Sequence, residues 1–204
     1  ETLTPVSLEL GSNDAMIVCA DADLERAAGG AVWAGMQNSG QSCGGIERIY
    51  VDEKVVEPFL EILKSYVESL EIGPDKGVNA DLGVMTTEEQ AQTVRAQLED
   101  ALSRGARIVA KTPVPEADAV GHYFPGIVLT QVSHDMEIMK RETFGPVIGV
   151  MKFRTLNEAI SLANDSDLGL TSSIWSRDRR KAQLIARRIQ SGAVMINDHL
   201  MSHG

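Results

Sequence analysis

The chain has 204 residues, enough for one sizeable domain with a hydrophobic core. Its 19 Lys and Arg against 29 Asp and Glu leave a net charge of −10, which argues against a nucleic-acid partner, because phosphates call for clustered cations. Two cysteines, Cys19 and Cys43, make no disulfide framework and point to a reducing compartment, the cytoplasm. No apolar run approaches the ~20 residues of a membrane span or forms a secretory signal.

In chain order, the first patterned stretch is LELGS, residues 8–12. Val6, Leu8 and Leu10 alternate, so a strand here puts Glu9 on the opposite face, just before a glycine turn. A carboxylate with apolar neighbours suits a general base, and an exposed strand residue explains Glu9 equally well. Residues 15–19 (AMIVC) are a short apolar run, read as a buried strand, and Cys19 at its end looks like an inert core thiol. Residues 21–38 read as a helix with Asp21 or Asp23 as N-cap. The Gly29–Gly30 pair inside it marks close packing.

GQSCGG follows, with Cys43 between glycines. Glycines admit close approach of a substrate and leave backbone N–H groups near the sulfur, which suits a nucleophile and its oxyanion. A small buried thiol in a tight loop fits the same six residues. Residues 46–51 are strand-like, and residues 55–70 carry apolar side chains at helical spacing. TTEE, residues 86–89, is a capping box ahead of a helix to about residue 103. Strands are expected at 107–110, 124–130 and 146–153, with a Pro-rich exposed loop at 112–121.

Residues 141–147 (RETFGPV) combine a carboxylate, Glu142, with an aromatic ring, Phe144, on a rigid turn. Such a pair suits a sugar hydroxyl beside a stacked heterocycle. A plain turn with Phe144 in the core fits too. The chain then alternates helix 157–164, strand 171–175, helix 178–190 and strand 193–197. Seven strands with interleaved helices predict an α/β fold, a three-layer αβα domain built on a mostly parallel open sheet.

Several signals carry no function. Neither a G-x-G-x-x-G after a strand nor a G-x-x-x-x-G-K-[ST] occurs. His199 and His203 have a metal-binding spacing but follow a strand and have only Asp198 beside them, so no metal site is assigned. The basic run 177–181 (RDRRK) reads as a solvated helix face, and Asp21-Ala22-Asp23 as helix-start capping.

Taken together and in order, LELGS, GQSC and ETFGPV resemble the NAD(P)-dependent aldehyde dehydrogenase superfamily, with its E-L-G-G, G-Q-x-C and E-x-F-G-P-V stretches. NDSDLGL (residues 164–170) and SGAVMIN (191–197) extend the resemblance over essentially the whole chain. The resemblance implies that Cys43 is the catalytic thiol and Glu9 the general base. It implies that Glu142 holds the nicotinamide ribose, that Phe144 packs near the nicotinamide, and that the backbone at Leu10 and Gly11 contacts the same end of NAD or NADP. It further implies aldehyde oxidation to the acid through a Cys43 thiohemiacetal and thioester, in a protein that forms homo-oligomers. It places the tail from His199 through Leu200, Met201 and His203 in a loop near the substrate.

Two positions depart from the pattern: Ser12 stands at the second glycine, and Arg141 precedes Glu142 where many relatives have an acid. The chain begins with Glu1, and the family's dinucleotide-binding domain is not in these residues. Residues 1–204 are therefore expected to be a single catalytic domain, with little or no turnover on its own. Two other readings stand beside this one. The first is a cysteine hydrolase or acyltransferase with His122 or His134 as base. The second is a non-catalytic scaffold.

Overall fold

The structure, a computed structural model, describes residues 3–74, 80–113 and 121–199. Its centre is a seven-stranded sheet in the order β4-β6-β7-β2-β1-β8-β9. In chain order these are β1 (Asp14–Val18), β2 (Ile46–Asp52), β4 (Arg107–Lys111), β6 (Ile127–Thr130), β7 (Val147–Phe153), β8 (Thr171–Trp175) and β9 (Ala193–Ile196). Every neighbouring pair is parallel except β4 with β6. The seven expected strands are all present. Two short strands that the sequence did not announce, β3 (Val84–Met85) and β5 (His122–Tyr123), pair antiparallel beside the sheet.

The sheet is covered on both faces, which is why β1 is buried at all five positions. Ala15 and Ile17 join one apolar cluster, with residues of α3 (Glu88–Ser103), α4 (Leu156–Asn164) and α5 (Arg179–Ala186). Met16 and Val18 point the other way into a second cluster, with residues of α1 (Leu24–Met36) and α2 (Val56–Ser69). The αβα layering follows from that alternation.

Among the described residues, four of the five α-helices begin at a side-chain cap, α2 being the exception. Asp23 caps α1, Thr87 caps α3, Thr155 caps α4 and Asp178 caps α5. The α3 cap is Thr87, one residue beyond the expected Thr86. The Gly29–Gly30 pair keeps α1 close to its neighbours: a Cβ at Gly30 would lie 2.5 Å from the Trp175 ring. The α5 helix is shorter than its pattern suggested. Asn164 receives the N–H of Gln190 and donates to the carbonyl of Arg188, which draws the chain out of the helix.

Arg48 on β2 is fully buried. Its guanidinium donates to the carbonyls of Asn13, Leu162 and Ala163, so it spans the entry to β1 and the C-terminal carbonyls of α4. The segments that precede β1, β2 and β7 therefore emerge side by side, because those three strands are neighbours in the sheet.

Candidate active-site cleft

The residues of interest meet at the amino ends of these strands. Open α/β sheets more often bind ligands at the carboxyl ends. An open cleft of ≈ 530 Å³ is lined by Glu9, Gly11, Gln41, Ser42, Cys43, Gln90, Glu142 and Phe144. Five of the six predicted site residues line it: Glu9, Gly11, Cys43, Glu142 and Phe144. The sixth, Leu10, does not; its side chain is 76% exposed.

The thiol loop is built to hold an unusual backbone. Asn38, Ser39 and Gly40 lie consecutively at positive φ (51°, 56° and 71°), a path that costs each non-glycine residue about 1 kcal/mol or more. Side chains secure it. Asn38 Nδ2 donates to the Gln41 carbonyl at 2.8 Å, and Ser39 Oγ to Gly83 at 3.0 Å. Gln41 donates back to Asn38 at 3.0 Å and to Val84 at 3.3 Å, while its Oε1 accepts from Thr86 N at 2.8 Å. Gly40 has no room for a side chain: a Cβ there would overlap the Gly145 carbonyl. The thiol loop and the Phe-Gly-Pro turn thus pack backbone against backbone.

Beneath the loop lies buried polar structure. Ser12 Oγ donates to the Cys43 carbonyl. The side chain that replaces the second glycine of the motif is therefore turned into the loop's support. His199 is buried under the same loop, with Nε2 at 3.0 Å from the Gly44 carbonyl and 3.2 Å from Thr171 Oγ1. A carbonyl only accepts, so Nε2 carries the proton. Burial pushes the His199 pKa down to about 4, which keeps the ring neutral. Thr171 in turn donates to Asp14, whose carboxyl is pushed up to about 6 by burial.

The Glu142–Phe144 turn is held by five residues from three segments: the stretch before β1, α3 and β2. Glu142 Oε1 accepts from Ser12 N at 2.9 Å, and Gly11, at φ 74°, leaves the space its carboxylate occupies. Asn13 donates to the Arg141 carbonyl at 2.9 Å, Gln97 to Glu142 at 3.1 Å and Gln90 to Thr143 at 2.8 Å. The N–H groups of Thr143 and Phe144 both donate to Glu47, at 2.8–2.9 Å. Arg141 reaches back to Glu137 at 2.6 Å and is exposed, so the residue that replaces an acid in the motif leaves the turn alone.

Some expectations need correction. Residues 3–13 form no strand, and Val6, Leu8, Glu9 and Leu10 are all exposed. Alternation does not sort their side chains, because nothing among the described residues packs against either face. Neither candidate histidine base lines the cleft. His122 Nδ1 is 2.6 Å from Glu88 at the surface. His134 is hydrogen-bonded to Tyr50 at 2.8 Å and to Asp165 at 2.9 Å.

Leu200, Met201 and His203 lie outside the described residues, among which no group of three metal-ligating side chains occurs. Glu47, Gln90, Gln97 and Asn13 were missed by motif reading. Glu47 had one signal: a carboxylate in an otherwise apolar strand, Ile46 to Val51, broken only by Glu47 and Arg48.

A sequence profile of the Aldehyde dehydrogenase family matches residues 1–203. The chain is 44% identical over 200 residues to 4,4'-diapolycopene aldehyde oxidase from Methylomonas sp, covering 98% of this chain and 36% of that protein. It superposes on lactaldehyde dehydrogenase from Escherichia coli with a TM-score of 0.89 and 36% identity, over 95% of this chain and 40% of that one. Betaine aldehyde dehydrogenase from Staphylococcus aureus in complex with NAD+ gives a TM-score of 0.89 and 33% identity, over 94% and 38%. The chain thus spans about two fifths of the length of these proteins.

Proposed function

The chain belongs to the aldehyde dehydrogenase family, and on that premise we propose that it is the thiol-bearing catalytic domain of a protein that oxidises an aldehyde to a carboxylic acid with NAD(P)+. The dinucleotide-binding domain is supplied by sequence outside these residues. The observation that carries the reading is the convergence of Cys43, Glu9, Glu142 and Phe144 on one cleft.

The donor set fits the nicotinamide end of the cofactor. A carboxylate supplies acceptors for vicinal ribose hydroxyls, and the Phe144 ring a flat apolar surface, next to a thiol. Glu142 and Phe144 would hold that end, with the backbone of Leu10 and Gly11 beside it. The phosphates and adenosine are left to the other domain.

The Cys43 thiolate attacks the aldehyde carbon, a C–S bond forms and the carbonyl oxygen becomes an oxyanion. The Cys43 backbone N–H donates to that oxyanion, together with a donor from the other domain. NAD(P)+, when bound, supplies the acceptor for the hydride that leaves this carbon. Cys43 is left as a thioester. Glu9 then removes a proton from water, whose oxygen adds to the thioester carbonyl. The C–S bond breaks, the acid departs and the thiolate returns.

Cys43→Ser in the full-length protein should abolish aldehyde-dependent NAD(P)H formation; unchanged turnover would remove the covalent mechanism. The isolated chain should show little or no turnover. A histidine-assisted hydrolase finds no support, since neither His122 nor His134 lines the cleft. Two free cysteines suit a reducing compartment. On that ground we expect a cytoplasmic protein; the family implies homo-oligomers, and the net charge of −10 argues against a nucleic-acid partner. No helix among the described residues is long and apolar enough to cross a membrane.

A further inference from the structure

The cleft holds two side chains assigned to the cofactor, Glu142 and Phe144, on one turn. That turn has no regular secondary structure of its own. Its carbonyls are bonded by three different side chains, those of Asn13, Gln90 and Gln97. Its N–H groups at Thr143 and Phe144 depend on a single one, Glu47. Glu47 sits on β2, one of the central strands, and is itself buried. Thr143 is fully buried as well, so water cannot take over its N–H if Glu47 is lost. Phe144 stands at φ 45°, a conformation kept only where the surroundings impose it.

We propose that Glu47 is the positioning residue for the cofactor end of the cleft. It fixes the Thr143 and Phe144 N–H groups and, through them, aims the Glu142 carboxylate and the Phe144 ring. The proposal rests on the reading of the cleft given above. Glu47 is buried and does not line the cleft. It acts only through the turn, so its loss should affect cofactor binding and leave the thiol's own reactivity in place. Glutamine retains an acceptor oxygen at the position of Oε1, which serves both N–H groups. Leucine fills similar space and offers no acceptor.

The test uses the full-length protein with Glu47→Gln and Glu47→Leu. Three quantities are measured: the NAD(P)+ dissociation constant by titration, the rate of Cys43 acylation by an activated acetyl ester without cofactor, and hydrogen exchange in the peptide spanning residues 141–147. Glu47→Gln should stay within about threefold of the parent in all three, as the retained acceptor requires. Glu47→Leu should weaken cofactor binding by about tenfold or more and accelerate exchange of the turn. Its acylation rate should hold within about twofold, the split expected when the hydrogen bonds that are lost position the turn and not the thiol.

Equal cofactor affinity in Glu47→Leu and parent overturns the proposal. So does a parallel loss of binding and acylation, which marks a general core defect. If Glu47→Leu does not fold, Glu47→Asp, one methylene short, must give the same split in weaker form, or the proposal fails. A parent protein that acylates at Cys43 and binds no NAD(P)+ removes the cofactor reading of the cleft, and this proposal with it. That result is distinct from a parent that binds and a variant that binds equally.

Discussion

The molecule carries the same functional group in two settings. Cys19 directly follows β1 inside the core, 1% exposed, and burial pushes its thiol up to about 11. At pH 8 about one molecule in a thousand then holds the thiolate there. Cys43 sits half-exposed in a loop of left-handed residues, backed by Ser12 and His199 and open to a cleft with two carboxylates. An apolar run that continues into a sheet buries its thiol. A glycine-rich loop held by side chains leaves its thiol in reach. Environment rather than residue type separates a packing cysteine from one within reach of a substrate.

The sharpest way to break that contrast is to exchange each sulfur for oxygen in the full-length protein. Cys43→Ser should lower aldehyde-dependent NAD(P)H formation by ~10⁴-fold or more, as loss of a covalent nucleophile does. Cys19→Ser should leave turnover within about threefold while lowering stability by ~1–3 kcal/mol, because a hydroxyl is then buried among apolar neighbours. Steady-state kinetics and denaturant unfolding read the two effects separately.

Next in size is Glu9→Gln. On its proposed role as general base, its loss should slow release of the acyl group by about 10²–10⁴-fold and spare formation of the thioester, which single-turnover kinetics separates. Smaller again is Gly40→Ala. The added carbon overlaps the Gly145 carbonyl and stands at φ 71°, so destabilisation of ~2 kcal/mol or more and displacement of the thiol loop are expected. A melting temperature and acylation rate equal to the parent's would show that the loop adjusts freely.

The most gradual effect concerns pH. Burial is the main cause that pushes the Glu47 carboxyl up from 4.5 to about 8, with Glu142 and Asp14 adding like charge and the N–H groups of Phe144 and Thr143 opposing. Between those values the folded chain keeps a proton that the unfolded chain releases. The stability it provides is therefore full below pH 4.5 and falls as pH rises towards 8, by at most ~1.4 kcal/mol per unit. Glu47→Gln should flatten that part of the stability curve, and an unchanged slope in urea unfolding would assign it to other groups.

What the sequence disclosed follows from how each feature is encoded. β1, β2 and β7 are runs dense in apolar residues, because the sheet is covered on both faces; they stand out in the chain as they do in the fold. β3 and β5, with two residues each, are too short to show a period. The alternating 6–10 segment looked like a strand and is not one, since alternation makes a strand only where one face has something to pack against.

The thiol, the carboxylates and the ring were legible through motifs. Their supports were not. Gln90 and Gln97 look like ordinary helix-surface residues, and Gln90 turns to Thr143 instead of back to its own helix cap. Only the long-range approach of α3 to the turn gives them a role. Glu47 alone left a trace outside the motifs, an acid where a doubly buried strand has no place for one, and it too was missed.

The most direct measurement treats the full-length protein, without cofactor, with an activated acetyl ester and locates the acetyl group by peptide mass mapping. Acetylation of Cys43 in large excess over Cys19, lost in Cys43→Ser, is the expected result. Equal labelling of the two thiols, or labelling of neither, would contradict it.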